Sequence, residues 1–424
     1  MNAIARNAML HAGVPQCRQV LTPPDTSVTD LSEFIPDFID ALTRPLTAED
    51  QASGTWTPPV PPRIAMTGTL DEVQTYFQGD LIGTFSGGPY AWMTDGGTII
   101  PPTEERVARM LMGTSHSPDE VVPLSSIGKN KVVTVEKVAI NAVMAGCKPE
   151  YLPAVLAMAT ASRGCCVGYS GDVSRGHMYV VSGPYGKEIG MNSGFAIMAT
   201  GNPANTSLQR ACSLMGVNLF GVQHGINNGE RMANTYWGTT FAENSNTPWD
   251  TLNVHFGYDA DESIIISFGG SLWGAPGVQV MGYNRYNLEE MQVGSPRTAV
   301  QAFLQVRNAR TLLLSKDAAD VWKNKWGMGS IQEIQDYLWE NTFWEAWNWY
   351  TDYGFAYRND WTRIMDNPEG TRQLNPEHLG LPDDTLIPMI NKPADILVVV
   401  AGGTGPAWGF LGGDFEPISI DDWR

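Results

Sequence analysis

Cys147 is the residue whose position in the sequence most directly suggests chemistry. The apolar run 132–146 predicts a buried helix, and Pro149 predicts the first turn of a second helix that ends near 162. The thiol would then lie at a helix N-terminus beside Lys148, where the helix dipole and the ammonium group lower its pKa below about 8.5. Cys147 is therefore a candidate nucleophile or acid–base group. The alternative is a small buried cysteine that fills a helix turn.

The loop from Gly183 to Asn205 is a candidate site for a small anion, because it is rich in glycine and asparagine. Pro203 predicts a helix start with Asn202 as its N-cap. Backbone amides at a helix N-terminus, together with asparagine side chains, bind carboxylates and other small anions. The alternative is a well-capped helix preceded by ordinary turns. The predicted substrate-binding residues are Asn192, Ser193, Asn202, Asn205, Arg210 and Asn244.

Glu243 is the predicted proton-transfer residue. A nucleophile normally needs a general base within hydrogen-bonding reach. Glu136 is eleven residues before Cys147, so the two would lie about 16 Å apart along one helix. The base must therefore come from another part of the fold, and Glu243 is the carboxylate that we assign to it.

The sequence predicts neither a metal nor an organic cofactor. It contains no HExxH motif and no Cys-x-x-Cys pair, which leaves open whether His177, His224 or His255 binds a metal. The vicinal pair Cys165–Cys166 allows redox sensing, but no other feature supports that role. The glycine-rich stretch 402–405 lacks the pattern of a P-loop and of a dinucleotide-binding turn, so it predicts a close backbone approach instead.

The order of elements predicts an α/β or mixed α+β fold in three parts. Residues 1–62 form a proline-rich, extended arm with one amphipathic helix at 31–42. The arm wraps the body of its own chain or a neighbouring subunit. We expect a homo-oligomer formed through this arm. A disordered tail is the alternative. Residues 63–305 form a central mixed domain that holds the buried helical hairpin and the candidate site. Residues 306–424 form an α/β C-terminal part with tryptophan-rich helices.

Three further predictions concern local structure. Residues 71–82 read as strand and mixed structure, and 217–260 read as long loops because they are dense in glycine, asparagine and threonine. Residues 331–350 read as one helix. Half of the 14 tryptophans lie between 322 and 361, so they build a core or line an apolar pocket or subunit interface.

The composition excludes several classes of function. The chain has 27 basic and 45 acidic residues, a net charge of −18, which argues against nucleic acid and anionic membranes as partners. It contains no apolar run long enough for a membrane span and no apolar signal sequence at its start. Five cysteines suit a reducing compartment better than a disulfide framework. We therefore expect a cytoplasmic protein.

The block TVEKVAINAVMAGCKPEY at 134–151 is similar to a block of an uncharacterised bacterial family, whose members are often linked with small (seleno)proteins that carry a Sec-Gly-Ser-Cys or Cys-Gly-Ser-Cys motif. The stretches PTEERV, GMNSG and FAEN, with the run 201–210, support the resemblance, which covers about 100–270. It implies a thiol-bearing hairpin and an asparagine-rich loop, and no established activity. The chain departs from the family in the tryptophan-rich segment and at 221–236.

These observations lead to one main hypothesis and two alternatives. The main hypothesis is a cofactor-independent enzyme, a lyase, hydratase or hydrolase, that uses the Cys147 thiol on a small polar or carbonyl-containing molecule. The first alternative is a non-catalytic or partner-dependent subunit that binds a thiol or selenol protein. The second is a metal-dependent hydrolase.

Overall fold

A computed structural model gives the fold of the protein. The residues that it describes are 18, 20, 32–45, 47–48, 63–78, 94–95, 97–124, 132–161, 176–199, 201–220, 239–270, 278–280, 295–305, 309–346, 381–403, 407–411 and 415–424. They form a mixed α+β fold, as the sequence predicts. Within these ranges, no helix has the length and apolar character needed to cross a membrane.

The elements before the first strand are helical in the described ranges. They are α1 (Ile35–Thr43), α2 (Leu70–Gln78), α3 (Glu104–Leu111), α4 (Val135–Ala145) and α5 (Leu152–Thr160). Thr103 and Thr134 begin α3 and α4, because each side chain accepts a hydrogen bond from the backbone N–H three residues later. Gly146 ends α4 with a φ of 84°. A 3-10 turn (Pro149–Tyr151) leads into α5, which completes the predicted helical hairpin.

The remaining elements are a mixture of strands and helices. In chain order they are β1 (Gly176–Ser182), α6 (Tyr185–Glu188), α7 (Pro203–Asn218), β2 (Thr239–Ala242), α8 (Leu252–His255), β3 (Ile264–Gly270), β4 (Val278–Val280), α9 (Pro296–Gln305), β5 (Ala309–Leu314), α10 (Lys316–Trp326), α11 (Ile331–Asn341), β6 (Phe343–Glu345), β7 (Leu386–Pro388), β8 (Leu397–Val400), β9 (Ala407–Leu411) and β10 (Glu416–Ser419).

Two four-stranded sheets share one topology and exchange a strand. In the first sheet, β1 pairs in parallel with β2 and antiparallel with β3. In the second sheet, β5 pairs in parallel with β8 and antiparallel with β9. The strand that follows β3 is β4, which pairs with β9, and the strand that follows β9 is β10, which pairs with β3. Each half of the chain therefore supplies the last strand of the other half's sheet.

Each face of the first sheet covers a separate apolar core, because successive side chains of a strand point to opposite faces. Val181 and Ile265 pack in the first core with α3, α4, α5 and α7. Val180 and Ile266 pack in the second core with β5 and β8 of the second sheet and with α9, α10 and α11. The second core also contains Trp322, which is fully buried.

Three sequence predictions are wrong in detail. The sequence predicts extended structure at 71–82, but α2 forms there, because the side chains of Thr69 and Glu72 each accept a hydrogen bond from the other's backbone N–H. The stretch 217–260 contains β2 and α8 rather than loops alone. The helix expected at 331–350 ends at Asn341, and β6 follows as an edge of a two-stranded sheet with β7. The helix predicted at 31–42 is confirmed as α1.

The described tryptophans of the tryptophan-rich segment mostly build core. The indole N–H groups of Trp339 and Trp344 donate to backbone carbonyl oxygens at 3.0 and 3.1 Å, and both rings pack against the second core. Trp326 is partly exposed, with Lys325 over its ring. Three others lie outside the described residues: Trp347, Trp349 and Trp361.

Candidate functional site

The carboxyl ends of the parallel strands from both sheets meet at one place. Glu243, the first residue after β2, donates its N–H to Val181 O at the end of β1 (2.8 Å). Asn244 donates its N–H to Val400 O, at the end of β8 in the other sheet (2.8 Å). In α/β proteins with open sheets, ligands bind in the crevice beyond the carboxyl ends of the parallel strands. We call this place the strand-end junction; it consists of 181–182, 192–195, 243–244 and 400–403.

Glu243 supplies the carboxyl group of the strand-end junction, and the pKa of this group is strongly shifted. The residue is 8% exposed, and its Oε2 accepts hydrogen bonds from the Ser182 hydroxyl (2.5 Å) and from the Leu252 N–H (2.9 Å). Burial raises the pKa of Glu243 from 4.5 to about 7, although both hydrogen bonds favour the ionised form. A carboxyl group with this pKa both accepts and donates a proton at neutral pH.

Ser182 is held in place by Asn253, which lies in the single turn of α8. The Asn253 N–H donates to Ser182 Oγ at 2.9 Å, and the Asn253 amide donates to the carbonyl oxygens of Asp259 (3.0 Å) and Glu262 (2.9 Å). Ser182 Oγ accepts from the Asn253 N–H, and its own hydrogen has two acceptors within reach, Glu243 Oε2 at 2.5 Å and Asn253 Oδ1 at 3.1 Å. The Glu243 carboxyl oxygen is the nearer of the two. The pair is therefore fixed by a buried network rather than by side-chain contact alone.

The asparagines predicted to bind an anion fold the loop between β1 and α7. Asn205 accepts a hydrogen bond from Asn192 N–H and donates to Asn192 O, both at 3.0 Å. The Asn192 amide donates to Phe195 O (2.7 Å) and to Asn202 Oδ1 (2.9 Å). Asn202 lies at the N-cap of α7 as predicted, but its amide donates back to Ala196 O and Ala199 O. The amide groups of Asn192 and of Asn202 are therefore used within the loop.

Ser193 and Asn244 are different, because each has a polar side-chain group without a hydrogen-bond partner among the described residues. Ser193 O accepts the Gly402 N–H at 2.8 Å, while its hydroxyl makes no hydrogen bond to the described residues. Asn244 Oδ1 accepts the Asn246 N–H at 3.0 Å, and its amide nitrogen has no acceptor in the same ranges. Of the predicted substrate-binding residues, these two offer donors at the strand-end junction.

The loop also presents an aromatic ring at the junction. Phe195 is 70% exposed, and its ring lies against Gly403, where an added Cβ would meet ring carbons at 2.4 Å. The next residue, Ala196, has a φ of 55°, a left-handed conformation that costs about 1–2 kcal/mol for a residue with a Cβ. The glycine-rich stretch after β8 is thus a close backbone approach, as predicted.

Arg210 lies on α7, but its guanidinium is taken up by a buried carboxylate. Its Nε and Nη2 donate to Asp95 at 2.9 and 3.1 Å, and both side chains are largely buried. Such a bidentate pair neutralises the positive charge. Binding of substrate by Arg210 stays a prediction. The ion pair with Asp95 competes with such binding, and the spacing of residues in the sequence does not reveal this pair.

The predicted lowering of the Cys147 pKa is wrong. Helix α5 begins at Leu152, whereas the Cys147 N–H bonds to Ala142 O (3.0 Å) and closes the C-terminal end of α4. The negative end of that helix dipole disfavours a thiolate. The thiol donates to Ser207 O at 3.4 Å, and burial raises its pKa to about 12. Lys148 lies near Glu150 instead. Cys147 packs against the first core, and its catalytic role stays a prediction.

The remaining candidates are placed only in part. His255 ends α8, and burial lowers its pKa. His177 is located on β1 by its backbone, and Cys165, Cys166 and His224 lie outside the described residues. Among the residues that are described, no three histidine, cysteine or acidic side chains form a group that could hold a metal ion.

The sequence predictions miss Ser182, Asn253 and Phe195. The signal for Ser182 is its position as the last residue of a predicted strand, where side chains face the carboxyl edge. Asn253 gives no signal in the sequence, because its role depends on a contact with a residue 71 positions away. Phe195 is one residue past the GMNSG stretch at the predicted anion site.

Comparison with protein-family models, with curated proteins and with solved structures gives no match. The function must therefore be inferred from the geometry of the strand-end junction.

Proposed function

We propose that the protein is a cofactor-independent enzyme that moves a proton on a small carbonyl-containing molecule at the strand-end junction, in a lyase or hydratase reaction. The observation that carries this proposal is the buried Glu243 carboxyl group, with a pKa of about 7 and the Ser182 hydroxyl at 2.5 Å. Catalytic carboxyl groups are tuned upward in this way by burial, so that they exchange protons near neutral pH.

The proposed chemical step uses three groups of the junction. The ionised form of Glu243 removes a proton from the carbon next to the substrate carbonyl, so that the C–H bond breaks and its electron pair forms an enolate. The Asn244 amide and the Ser193 hydroxyl donate hydrogen bonds to the substrate oxygen that gains charge. The protonated Glu243 then returns the proton, either to carbon or to a departing hydroxide, which leaves as water.

This proposal differs from the thiol mechanism in its acid–base group. A thiol whose pKa is about 12 stays protonated at neutral pH, and a thiolate is the form that attacks electrophiles. Cys147 therefore serves in this proposal as a packing residue that bonds to α7. The free thiols Cys147 and Cys212 support a reducing, cytoplasmic location, which we also propose.

One observation on the arm supports the homo-oligomer that the sequence predicts, which we also propose. Ile35, Ile39 and Leu42 form one stripe of α1 and are 51%, 55% and 85% exposed. Such a stripe suits a contact with a second copy of the chain. Light scattering coupled to gel filtration tests the homo-oligomer, which should dissociate when Ile39 and Leu42 are replaced by serine.

Proton transfer can be detected whichever direction the reaction favours. The protein is incubated in D2O with pyruvate or with fumarate, and proton NMR follows loss of the pyruvate methyl signal or appearance of malate signals. We expect turnover that falls by about 10²-fold or more in Glu243→Gln. Glu340→Gln, which alters an exposed carboxylate on α11, serves as the matched control and should retain full activity. Turnover that is equal in the wild type and Glu243→Gln contradicts the proposal, and so does an absence of turnover with both probes.

A further inference from the structure

Phe195 occupies a position from which it can contact whatever binds at the strand-end junction. Its ring lies close to Gly403, and most of its surface remains open, as does part of Met198 (43% exposed). Ser193, two residues earlier, bonds to Gly402 and carries a hydroxyl with no partner among the described residues. An apolar ring and a polar donor are therefore presented side by side on one loop.

Side-chain hydrogen bonds fix the backbone of the loop that carries this ring. The amide groups of Asn192, Asn202 and Asn205 bond to backbone atoms on both sides of Phe195, and Ile197 is buried in the second core. The left-handed backbone of Ala196 is maintained by these bonds. Residues that stay in sparsely populated conformations are concentrated at ligand-binding sites, where surrounding structure fixes them.

Gly403 is what allows the ring to approach the second sheet. Any side chain there would overlap the ring, since an added Cβ would lie 2.4, 2.6 and 2.7 Å from three of its carbons. The position of Phe195 thus depends on a residue from the other half of the chain. The ring is 70% exposed, so a bound ligand can reach it.

We propose that Phe195 is a specificity-determining residue that selects carbonyl substrates bearing an aromatic or other planar apolar group beside the carbonyl carbon. This inference rests on the proposed function, since it assumes that the carbonyl oxygen binds at Ser193 and Asn244. The planar group of the substrate stacks against the exposed part of the Phe195 ring, in the offset arrangement that aromatic pairs prefer.

Two 2-oxo acids that differ in one substituent test the inference: pyruvate, which carries a methyl group, and benzoylformate, which carries a phenyl group. Benzoylformate has no hydrogen on the carbons next to its carbonyl, so it binds without reacting and reports affinity alone. Their dissociation constants are measured by isothermal titration calorimetry. Wild-type protein should bind benzoylformate about tenfold more tightly, the factor that corresponds to about 1.4 kcal/mol. Phe195→Ala and Gly403→Ala should each bring the ratio of the two dissociation constants close to one.

Two further variants make the result decisive. Phe195→Leu keeps an apolar side chain without a planar ring and should give an intermediate ratio. Met112→Ala removes an apolar side chain that is 82% exposed elsewhere, and should change nothing. A ratio near one in the wild type, or a ratio unchanged in Phe195→Ala, overturns the inference while leaving the proposed function intact. Failure to bind either acid overturns the inference, whereas the proposed function is overturned only if fumarate is not converted either. Pyruvate binding that Ser193→Ala and Asn244→Ala do not weaken counts against the site.

Discussion

Replacing Glu243 with glutamine is expected to stabilise the protein above neutral pH. The pKa of Glu243 is raised from 4.5 to about 7 in the folded state, so folding favours the protonated side chain. The stabilisation of the fold by protonated Glu243 is fully present below pH 4.5, and it is lost as the pH rises through 7. One pH unit of pKa difference is equivalent to about 1.4 kcal/mol, so ionisation of the buried carboxyl group destabilises the fold by about 3 kcal/mol.

Glutamine reproduces the neutral form at every pH. It retains an oxygen that can accept the Leu252 N–H, and its amide group can bond to Ser182 Oγ. Below pH 4.5 the free energy of unfolding of Glu243→Gln should therefore be close to that of the wild type. At about pH 8 the variant should be more stable by about 3 kcal/mol, because it carries no buried charge.

Urea unfolding followed by tryptophan fluorescence measures this difference between about pH 4.5 and pH 8. Glu340→Gln is the control and should follow the wild type at all pH values. A carboxylate that served only as a cap for α8 would behave in the opposite way, since its removal would weaken the fold most where it is ionised. A variant that is less stable than the wild type at the upper end of this pH range would therefore refute the reasoning. Active sites typically contain buried ionisable groups that lower the stability of the fold.

Three further predictions follow from other contacts. Iodoacetamide should modify Cys147 at about pH 8 far more slowly than it modifies an ordinary thiol, because burial raises the pKa of Cys147, with Cys147→Ser as the control; a titration midpoint below about pH 8.5 would contradict the raised pKa. Gly113→Ala should lower the free energy of unfolding by about 3 kcal/mol, because its Cβ would lie 1.9 Å from Pro149 O; an unchanged urea midpoint would refute this. The hydrogen bond to Glu120 raises the pKa of His116. His116→Gln should therefore destabilise the fold most below pH 6.5 and progressively less as the pH rises through that raised pKa. Thermal melting measures this, and a loss of stability that does not depend on pH would argue against it.

Local signals in the sequence are sufficient for most elements of the fold. Ser315 caps α10 through a hydrogen bond to the Ala318 N–H, and the helix covers the predicted residues 316–326. Apolar runs identify β1, β3, β5 and β8 to within a few residues. The strand exchange could not be predicted, because β4 and β10 are short and their pairing depends on partners far away in the chain.

The candidate site is predictable in composition but not in role. Glu243, Asn244 and Ser193 are identified from their residue types, and the structure brings them to one junction. The same reasoning fails for Cys147, because Gly146 ends α4 in a motif that places the thiol at the negative end of a helix rather than at the positive end of the next one. A small difference in a helix boundary thus reverses the sign of the electrostatic effect on the thiol.

The central claim is that Glu243 is held half-protonated near neutral pH. Carbon-13 NMR of protein labelled at the glutamate carboxyl carbons measures this directly, with the Glu243 signal assigned by its absence in Glu243→Gln. We expect a titration midpoint near 7 for this signal. A midpoint near 4.5, the ordinary value for a glutamate, would contradict it and would remove the basis for proton transfer by this residue.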